Sequence, residues 1–521
     1  METLNAFGAW IDEKRANARN TPLTRVIGGA STAVLALIAS HASAQIIPPP
    51  VQPVTSPATA TPAPATPAAT SPAARMIAQP LPRLSDAQSR ELAKLIAQDE
   101  VRQGLRQGSP RDMSDKTGDA LVRAALDHAR AVHAGRLDAS DFERDWGIRP
   151  QAYDPLPGFV DAVERDRLAA WVASLPPPYA GYDALVVGLA RYRQIAADGG
   201  WGTVPASPEL KYGRSGPAVA ALRKRLAAED SQVSASSDKF DADLLSAVRR
   251  AQRRYGLNPA GDVGAQTLAA LNVPVAARMR QIAANMERWR WLPAQLEQNR
   301  VQVNVAAAVL TVFDGDAPVM SMKAVTGRPG NETPMLVSSI HSVVLNPPWN
   351  VPSSIADKEL WPKERANPGY LKRNGFRVID TGGGGKRLQQ SSEKSALGRY
   401  KFDFPNDFAV YLHDTPAQAG FSRFDRLASH GCVRLEKPEA LAKLLMKTTP
   451  QWQPAQIDQT VAAGKTVRAQ MAQPVAVYLL YWTAFASPSG QVGFRDDPYN
   501  WDSDLASKVE ARQAKQTLAS L

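Results

Sequence analysis

The sequence predicts a multidomain α+β protein with a helical scaffold, a three-helix domain and a β-rich domain that carries an inserted segment. The first observation is length, because 521 residues at roughly 150 per domain leave room for about three domains. The second is the apolar pattern, which is helical over residues 83–273 and alternates from Val301 onwards. The third is a proline-rich tract at residues 45–82, which separates these domains from the N-terminus.

The overall composition fits a folded protein with an excess of positive charge. Hydrophobic residues make up 44% of the chain, which argues against wholesale disorder and against a protein with many membrane spans. Lys and Arg total 61 against 50 Asp and Glu, giving a formal net charge of +11. The chain has one cysteine, Cys432. An intramolecular disulfide and a multi-thiolate metal site are therefore excluded, and any thiol chemistry must come from this residue alone.

The N-terminus has the features of an export signal. Residues 1–44 combine a basic start, an apolar run at residues 26–39 and a small-residue site that ends at Ala44. Cleavage after Ala44 is expected, and an uncleaved N-terminal anchor in the inner membrane is the alternative. Residues 45–82 contain eleven prolines and predict a semi-stiff linker. The remainder of the chain is expected outside the cytoplasm, which disfavours nucleic acid as a partner.

Residues 83–205 predict the helical scaffold. Apolar residues such as Leu121 and Ala125 recur at helical spacing, and prolines mark the breaks between helices. The segment shows no catalytic pattern. His128 and His133 are five residues apart, which is the wrong spacing for a metal pair on one helical face, so we interpret them as packing or surface residues.

Residues 206–273 predict a separate unit of three short helices. Gly216 precedes the first apolar stripe, Gly256 ends the second helix, and the turn at Gly261 leads into the third. The placement of these glycines resembles the peptidoglycan-binding domain found in many cell-wall enzymes. Residues 274–299 then predict a connecting helix, and residues 503–521 a C-terminal helix.

The β-rich domain at residues 300–502 contains the residues with catalytic potential. The alternation that ends at His413 predicts a strand with Tyr411 and His413 on the face opposite the core. Sixteen residues after His413, Ser429 begins the sequence Ser-His-Gly-Cys, which ends at Cys432. We expect Cys432 to lie on a neighbouring strand.

A free thiol titrates near 8.5, so a nucleophilic cysteine needs a base or a cation close by. His413 could reach Cys432 across adjacent strands, and His430 could flank it on the same strand. Gly431 would let the backbone approach a substrate and would leave the amides near Cys432 free to bind an oxyanion.

The spacing of His413 and the Ser429–Cys432 sequence resembles the signature of L,D-transpeptidases. The Asn-Pro-Pro-Trp element ending at Trp349 and the domain order resemble the large multidomain subtype of that family. The resemblance implies that Cys432 is the nucleophile, that His413 is its general base, and that no metal or organic cofactor is used. It also implies that substrate-binding or oxyanion residues line the site, namely Ser429, His430, Gly431, Arg434, Tyr411 and Trp349. Some members carry Asn where Arg434 stands, which leaves the role of that residue open.

The same resemblance makes residues 351–404 an inserted lid over the cleft, with the glycine run at residues 382–385 as a mobile loop. It is not a nucleotide-binding loop, because no Gly-Lys-Ser/Thr sequence follows.

The family resemblance implies an acyltransferase of the periplasm or cell envelope. Its partners would be peptidoglycan stem peptides and glycan, with carbapenems as covalent inhibitors. The reaction would cross-link diamino acid residues of two stems through a cysteine thioester, with release of terminal D-Ala. The alternatives are an L,D-carboxypeptidase that trims tetrapeptides and a non-catalytic wall-binding protein. The positive charge could attract the carboxylates of the wall or simply aid solubility.

Overall fold

The computed structural model describes residues 81–382 and 385–519. The predicted export signal or anchor at residues 1–44, and the linker up to residue 80, lie outside these ranges. Among the residues that are described, no helix is both long enough and apolar enough to cross a membrane.

The N-terminal region is helical, as the apolar spacing predicts. From residue 81, where the described part of the chain begins, its helices are α1 (Asp86–Arg102), α2 (Gly118–His133), α3 (Leu156–Glu164), α4 (Leu168–Ser174) and α5 (Ala180–Ala197). The Ser85 side chain starts α1 by accepting a hydrogen bond from the Gln88 amide, and the Gln88 side chain caps the Ser85 amide in return. His128 is buried and its Nε2 lies 2.9 Å from Asp99 Oδ2, which confirms its interpretation as a packing residue.

The three short helices predicted after the scaffold are present. They are α6 (Pro217–Ala227), α7 (Ala242–Arg254) and α8 (Ala265–Leu271). Gly256, with φ of +68°, follows the end of α7 as the glycine stop predicts. The apolar residues of these helices share one buried cluster with α5 and with a C-terminal hairpin, β13 (Ala484–Ala486) and β14 (Val492–Phe494). The connecting helix α9 (Val275–Trp289) leads from this cluster to the first strand.

The β-rich region is organised around a nine-stranded sheet. Its strands are β1 (Asn299–Asn304), β2 (Val309–Asp314), β3 (Ala317–Gly327), β4 (Leu336–Leu345), β8 (Tyr400–Asp403), β9 (Leu412–His413), β10 (Leu427–Ser429), β11 (Val433–Leu435) and β12 (Val467–Leu480). Their order is β10-β3-β11-β9-β8-β4-β12-β1-β2, and an additional β2–β3 ladder joins the far end of the sheet back to β3. Because the sheet closes on itself, most of its strands have no free edge.

A separate small layer, which we call the insert, spans residues 349–390. It contains β5 (Trp349–Asn350), α10 (Ser353–Ile355), a π-helical turn (Ala356–Leu360), α11 (Trp361–Ala366), α12 (Tyr370–Arg373), β6 (Phe376–Asp380) and β7 (Lys386–Gln390). The three strands form their own sheet in the order β5-β7-β6. A small apolar core that includes Ala356, Leu360 and Leu388 holds the insert together.

The remaining helices pack around the large sheet. They are α13 (Pro438–Leu445), α14 (Pro454–Ala462) and α15 (Trp501–Ala519). Trp501 and Leu505 of α15 join the main apolar cluster of the sheet. The predicted α+β fold class, with helical N-terminal domains and a β-rich C-terminal domain, is confirmed.

Candidate active site

The pairing of β9 with β11 brings the two halves of the sequence signature together. The strands are parallel, with Val433 opposite Leu412 and Arg434 opposite His413. Val433 and Leu412 are fully buried in the core. Because neighbouring residues of a strand point to opposite faces, Arg434 and His413 lie on the other face of the sheet. Cys432 directly precedes Val433, and the charges of Lys401 and Arg434 act on its thiol as they act on the His413 imidazole.

Two local predictions around this pairing are wrong in detail. The predicted strand ending at His413 comprises only Leu412 and His413, because Ala409 has φ of +55° and turns the chain out of extended conformation. Cys432 is not on a strand but in a bend immediately before β11. The thiol therefore sits at the end of the sheet rather than within a hydrogen-bonded ladder.

His413 is buried and held in one orientation. Its Nδ1 lies 2.5 Å from the carbonyl oxygen of Asp414, which can only accept, so Nδ1 carries the proton and Nε2 is left with a lone pair. Burial, together with the positive charges of Arg434 and Lys401, lowers the pKa of His413 to about 3. The imidazole is therefore neutral at physiological pH and able to accept a proton at Nε2.

The surroundings of Cys432 shift the pKa of its thiol in opposite directions. Burial raises the pKa of the Cys432 thiol, while hydrogen bonding to Tyr411 and the charges of Lys401 and Arg434 lower it. Burial has the larger effect, so the resting thiol is protonated at neutral pH. Its sulfur has a long contact of 4.0 Å to the carbonyl oxygen of Ala409. The resting pair is thus a neutral thiol and a neutral imidazole.

Tyr411 connects the thiol to the insert. Burial and the interaction with Cys432 raise the pKa of Tyr411, and hydrogen bonding to Trp349 partly opposes this. Lys401 Nζ lies 4.3 Å from the centre of the Tyr411 ring and 2.7 Å from Asp403 Oδ1. Trp349, predicted from the sequence to line the site, therefore reaches the thiol through Tyr411.

The turn from Ser429 to Cys432 is closed by its own serine. Ser429 Oγ donates to the carbonyl oxygen of Cys432 at 2.6 Å and accepts from the amide of Gly431 at 3.1 Å. The expectation that the Gly431 amide is free for an oxyanion is therefore wrong. Among the described residues, neither the Cys432 amide nor the His430 amide has a hydrogen-bond acceptor, so the turn leaves both of these backbone donors available.

A second set of hydrogen bonds, from residues near the end of β3 and from Tyr499, holds Gly431 in place. Gly431 has φ of +110°, a conformation that favours glycine, and its carbonyl oxygen accepts a hydrogen bond of 2.7 Å from Thr333 Oγ1. The same hydroxyl accepts from the amide of Gly327 at 2.8 Å. Tyr499, close to the C-terminal helix, donates to the Gly327 carbonyl oxygen at 2.5 Å and accepts from the Thr333 amide. The turn is therefore tied to the end of β3.

His430 does not flank the thiol on a strand, contrary to the expectation from the sequence. It lies in the bend between β10 and β11, and its Nε2 is 2.6 Å from Glu359 Oε1 of the insert. Arg328 approaches the same pair, with its NH2 group 3.3 Å from His430 Nε2 and 4.0 Å from Glu359 Oε1. We call the turn Ser429–Cys432 the signature turn. The His430 side chain therefore connects the signature turn to the insert.

Four residues around the site were missed by the sequence reasoning. Lys401 had a usable signal, because it alternates with the apolar Tyr400 and Phe402 in a strand-like run next to the insert. The others are distant in sequence and carry no motif, namely Thr333, Glu359 and Tyr499. Their roles depend on contacts that only the folded chain shows. Within residues 81–382 and 385–519, no group of three or more His, Cys, Asp or Glu side chains could hold a metal ion.

The fold and the site together define a multidomain chain with a partly buried thiol and a buried imidazole on adjoining segments at the end of a closed sheet. Residues 298–457 match the YkuD family, described as an L,D-transpeptidase catalytic domain. Residues 215–271 match the family "Putative peptidoglycan binding domain", and residues 81–189 match the Scaffold domain. From the N-terminus to the C-terminus, the matches run from the Scaffold domain through the peptidoglycan binding domain to the catalytic domain, and the resemblance inferred from the sequence is confirmed.

Known proteins of this kind give the following comparisons. A "Putative L,D-transpeptidase" from Haemophilus influenzae is 32% identical over 243 residues, which are 43% of this chain and 49% of the relative, so the match spans about half of that protein's length. An L,D-transpeptidase structure from Stackebrandtia nassauensis is 13% identical, with 53% of this chain and 96% of that chain covered and a TM-score of 0.22. One from Xylanimonas cellulosilytica is 17% identical, with coverage of 53% and 100% and a TM-score of 0.18.

Proposed function

We propose that this protein is an L,D-transpeptidase that cross-links peptidoglycan stem peptides in the cell envelope through a thioester on Cys432. The observation that carries the proposal is the β9–β11 register, which supports placing Cys432, His413 and Arg434 on one face. The match of residues 298–457 to a catalytic domain of this activity supports the same reaction. The peptidoglycan-binding domain supports a wall substrate.

In the first half-reaction, Cys432 attacks the carbonyl carbon of the diamino acid in a donor tetrapeptide. Because the thiol and the imidazole are both neutral at rest, the thiol proton moves to His413 Nε2 as the carbon–sulfur bond forms, rather than beforehand. The Cys432 amide donates to the oxyanion of the tetrahedral intermediate. The intermediate collapses by breaking the bond to D-Ala, and His413 returns the proton to the departing amine.

In the second half-reaction, the side-chain amine of a second stem attacks the thioester. This amine gives a proton to His413, the carbon–sulfur bond breaks, and the proton passes to the Cys432 sulfur. Tyr411 and Trp349 shield the thioester from water, which would otherwise complete a carboxypeptidase reaction instead. Ser429, Gly431 and Arg434 act at the site by fixing the turn and by lowering the thiol pKa.

The test is a product analysis with a purified disaccharide tetrapeptide, with and without an added acceptor stem. We expect a cross-linked dimer and stoichiometric free D-Ala when the acceptor is present, and loss of both products in Cys432→Ala. Tripeptide as the main product at high acceptor concentration would favour the carboxypeptidase. Release of D-Ala by Cys432→Ala at the wild-type rate would overturn the proposal.

A further inference from the structure

The contact between His430 and Glu359 joins the signature turn to the insert. The distance of 2.6 Å between His430 Nε2 and Glu359 Oε1 is that of a charge-assisted hydrogen bond. Arg328 and Glu359 cannot both use Nε2, because a ring nitrogen that donates has no lone pair to accept. The shorter contact is to Glu359, so Nε2 carries a proton that it donates to the carboxylate, and the Arg328 guanidinium lies 4.0 Å from the same carboxylate oxygen.

Glu359 is presented by an uncommon piece of backbone. It lies in the π-helical turn Ala356–Leu360, which interrupts the helix between α10 and α11. Such turns are rare and occur frequently at functional sites. Ala356 and Leu360 of this turn are buried in the core of the insert. Asp357 and Lys358 are exposed. The turn therefore anchors two residues in the insert and directs Glu359 to the signature turn.

The insert reaches the signature region at a second point. Trp349, at the start of the insert, is close enough to Tyr411 to lower the pKa of its hydroxyl, and Tyr411 in turn lowers the pKa of Cys432. Both Trp349 and Leu360 belong to the same small apolar cluster. A shift of the insert would therefore displace both His430, within the signature turn, and Tyr411, which interacts with Cys432.

We propose that Glu359 is a positioning residue, which fixes His430 and through it the Ser429–Cys432 turn, so that acylation of Cys432 depends on the docked insert. This inference rests on the proposed function. Glu359 does not touch the reacting atoms. Its effect is to hold the Cys432 amide and sulfur in the geometry that attack on a carbonyl needs, where a displacement of about 1 Å can cost about a hundredfold in rate.

The test measures the second-order rate of Cys432 acylation by imipenem with intact-mass spectrometry, together with kcat and KM for D-Ala release. Glu359→Ala should reduce the acylation rate by about tenfold or more and lower kcat more than it raises KM. Glu359→Gln, which can still accept a hydrogen bond, should retain more activity than Glu359→Ala. Asp357→Ala removes the same charge from an exposed position of the same turn and should match the wild type.

A double-mutant comparison separates positioning from a general weakening of the insert. In a His430→Ala background, the effect of Glu359→Ala should vanish, because the partner of the carboxylate is already gone. An undiminished effect in that background, or a Glu359→Ala rate equal to that of Asp357→Ala, would overturn the inference while leaving the proposed function intact. A wild-type protein that forms no Cys432 adduct with either imipenem or tetrapeptide would overturn both.

Discussion

At the scale of single residues, the unusual feature of the site is that neither partner is charged at rest. His413 is held neutral by burial, with a pKa of about 3, and burial also raises the pKa of Cys432. An ion pair of thiolate and imidazolium would need the opposite order of pKa values. Because a neutral thiol is a weaker nucleophile than a thiolate, we expect the resting site to be oxidised and alkylated slowly at neutral pH.

This arrangement predicts the pH dependence of Cys432 alkylation. The rate of reaction with iodoacetamide follows the thiolate fraction, so it should rise with pH through the ordinary thiol value near 8.5 without a plateau at neutral pH. Mass spectrometry can follow the reaction directly, because Cys432 is the only cysteine. Arg434→Gln should slow alkylation at a given pH by raising the thiol pKa further. The exposed Arg423→Gln should not.

A plateau of the alkylation rate already reached below pH 7 would show a preformed thiolate and would contradict the neutral resting pair.

At the scale of elements, the signature turn depends on a conformation that only glycine adopts readily. Gly431 combines φ of +110° with an ideal Cβ position 3.2 Å from the carbonyl oxygen of Glu332. Gly431→Ala should therefore cost on the order of 1–3 kcal/mol in backbone strain and should reduce imipenem acylation strongly by moving the Cys432 amide. The matched control is Gly420→Ala, whose Cβ would lie 3.9 Å from Val325 with no positive φ. Thermal unfolding and acylation rates of both variants provide the measurement.

Equal acylation rates for Gly431→Ala and Gly420→Ala would show that the turn is not the element that holds the thiol in place.

The sequence predicted the helices and strands better than it predicted the side-chain contacts between them. The three helices at residues 217–271 follow from their apolar stripes and glycines, because those signals are local. The lone Cys432 and its spacing from His413 predicted the nucleophile and the base, and these two roles stay predictions. The prediction that residues 408–411 form a β-strand was wrong. Ala409 has a positive φ, and an alternating apolar pattern carries no signal for such a backbone conformation. Glu359 and Thr333 could not be found, since they reach the turn from positions more than 70 residues away.

At the scale of the whole molecule, a buried ionic cluster joins the scaffold helix α5 to the peptidoglycan-binding domain. Glu229 Oε2 lies 2.7 Å from Arg225 NH1 and accepts from the hydroxyl of Tyr255, while Tyr192 of α5 donates to its other oxygen. Arg225 and the charge of Arg254 outweigh burial and lower the pKa of Glu229 to about 2. The two domains are thus connected by a carboxylate that water does not reach.

Glu229→Gln should lower the free energy of unfolding by about 3–5 kcal/mol at pH 7, because Arg225 is left buried without its partner charge. The folded-state pKa lies below the ordinary value of 4.5, so this stabilisation is fully present above pH 4.5 and is lost as pH falls toward 2. The difference between wild type and variant should therefore shrink on acidification. Urea unfolding at several pH values measures it, with the exposed Asp243→Asn as the control.

A difference between wild type and Glu229→Gln that does not change between pH 7 and pH 3 would contradict the role assigned to this charge.

The most direct measurement of the central claim is peptide mapping of the protein after brief incubation with a disaccharide tetrapeptide and an acid quench. If Cys432 is the nucleophile and His413 its base, the peptide containing Cys432 should gain the mass of the donor less D-Ala, and His413→Ala should abolish the gain. Release of D-Ala with no adduct on Cys432, or with the adduct on another residue, would contradict the account.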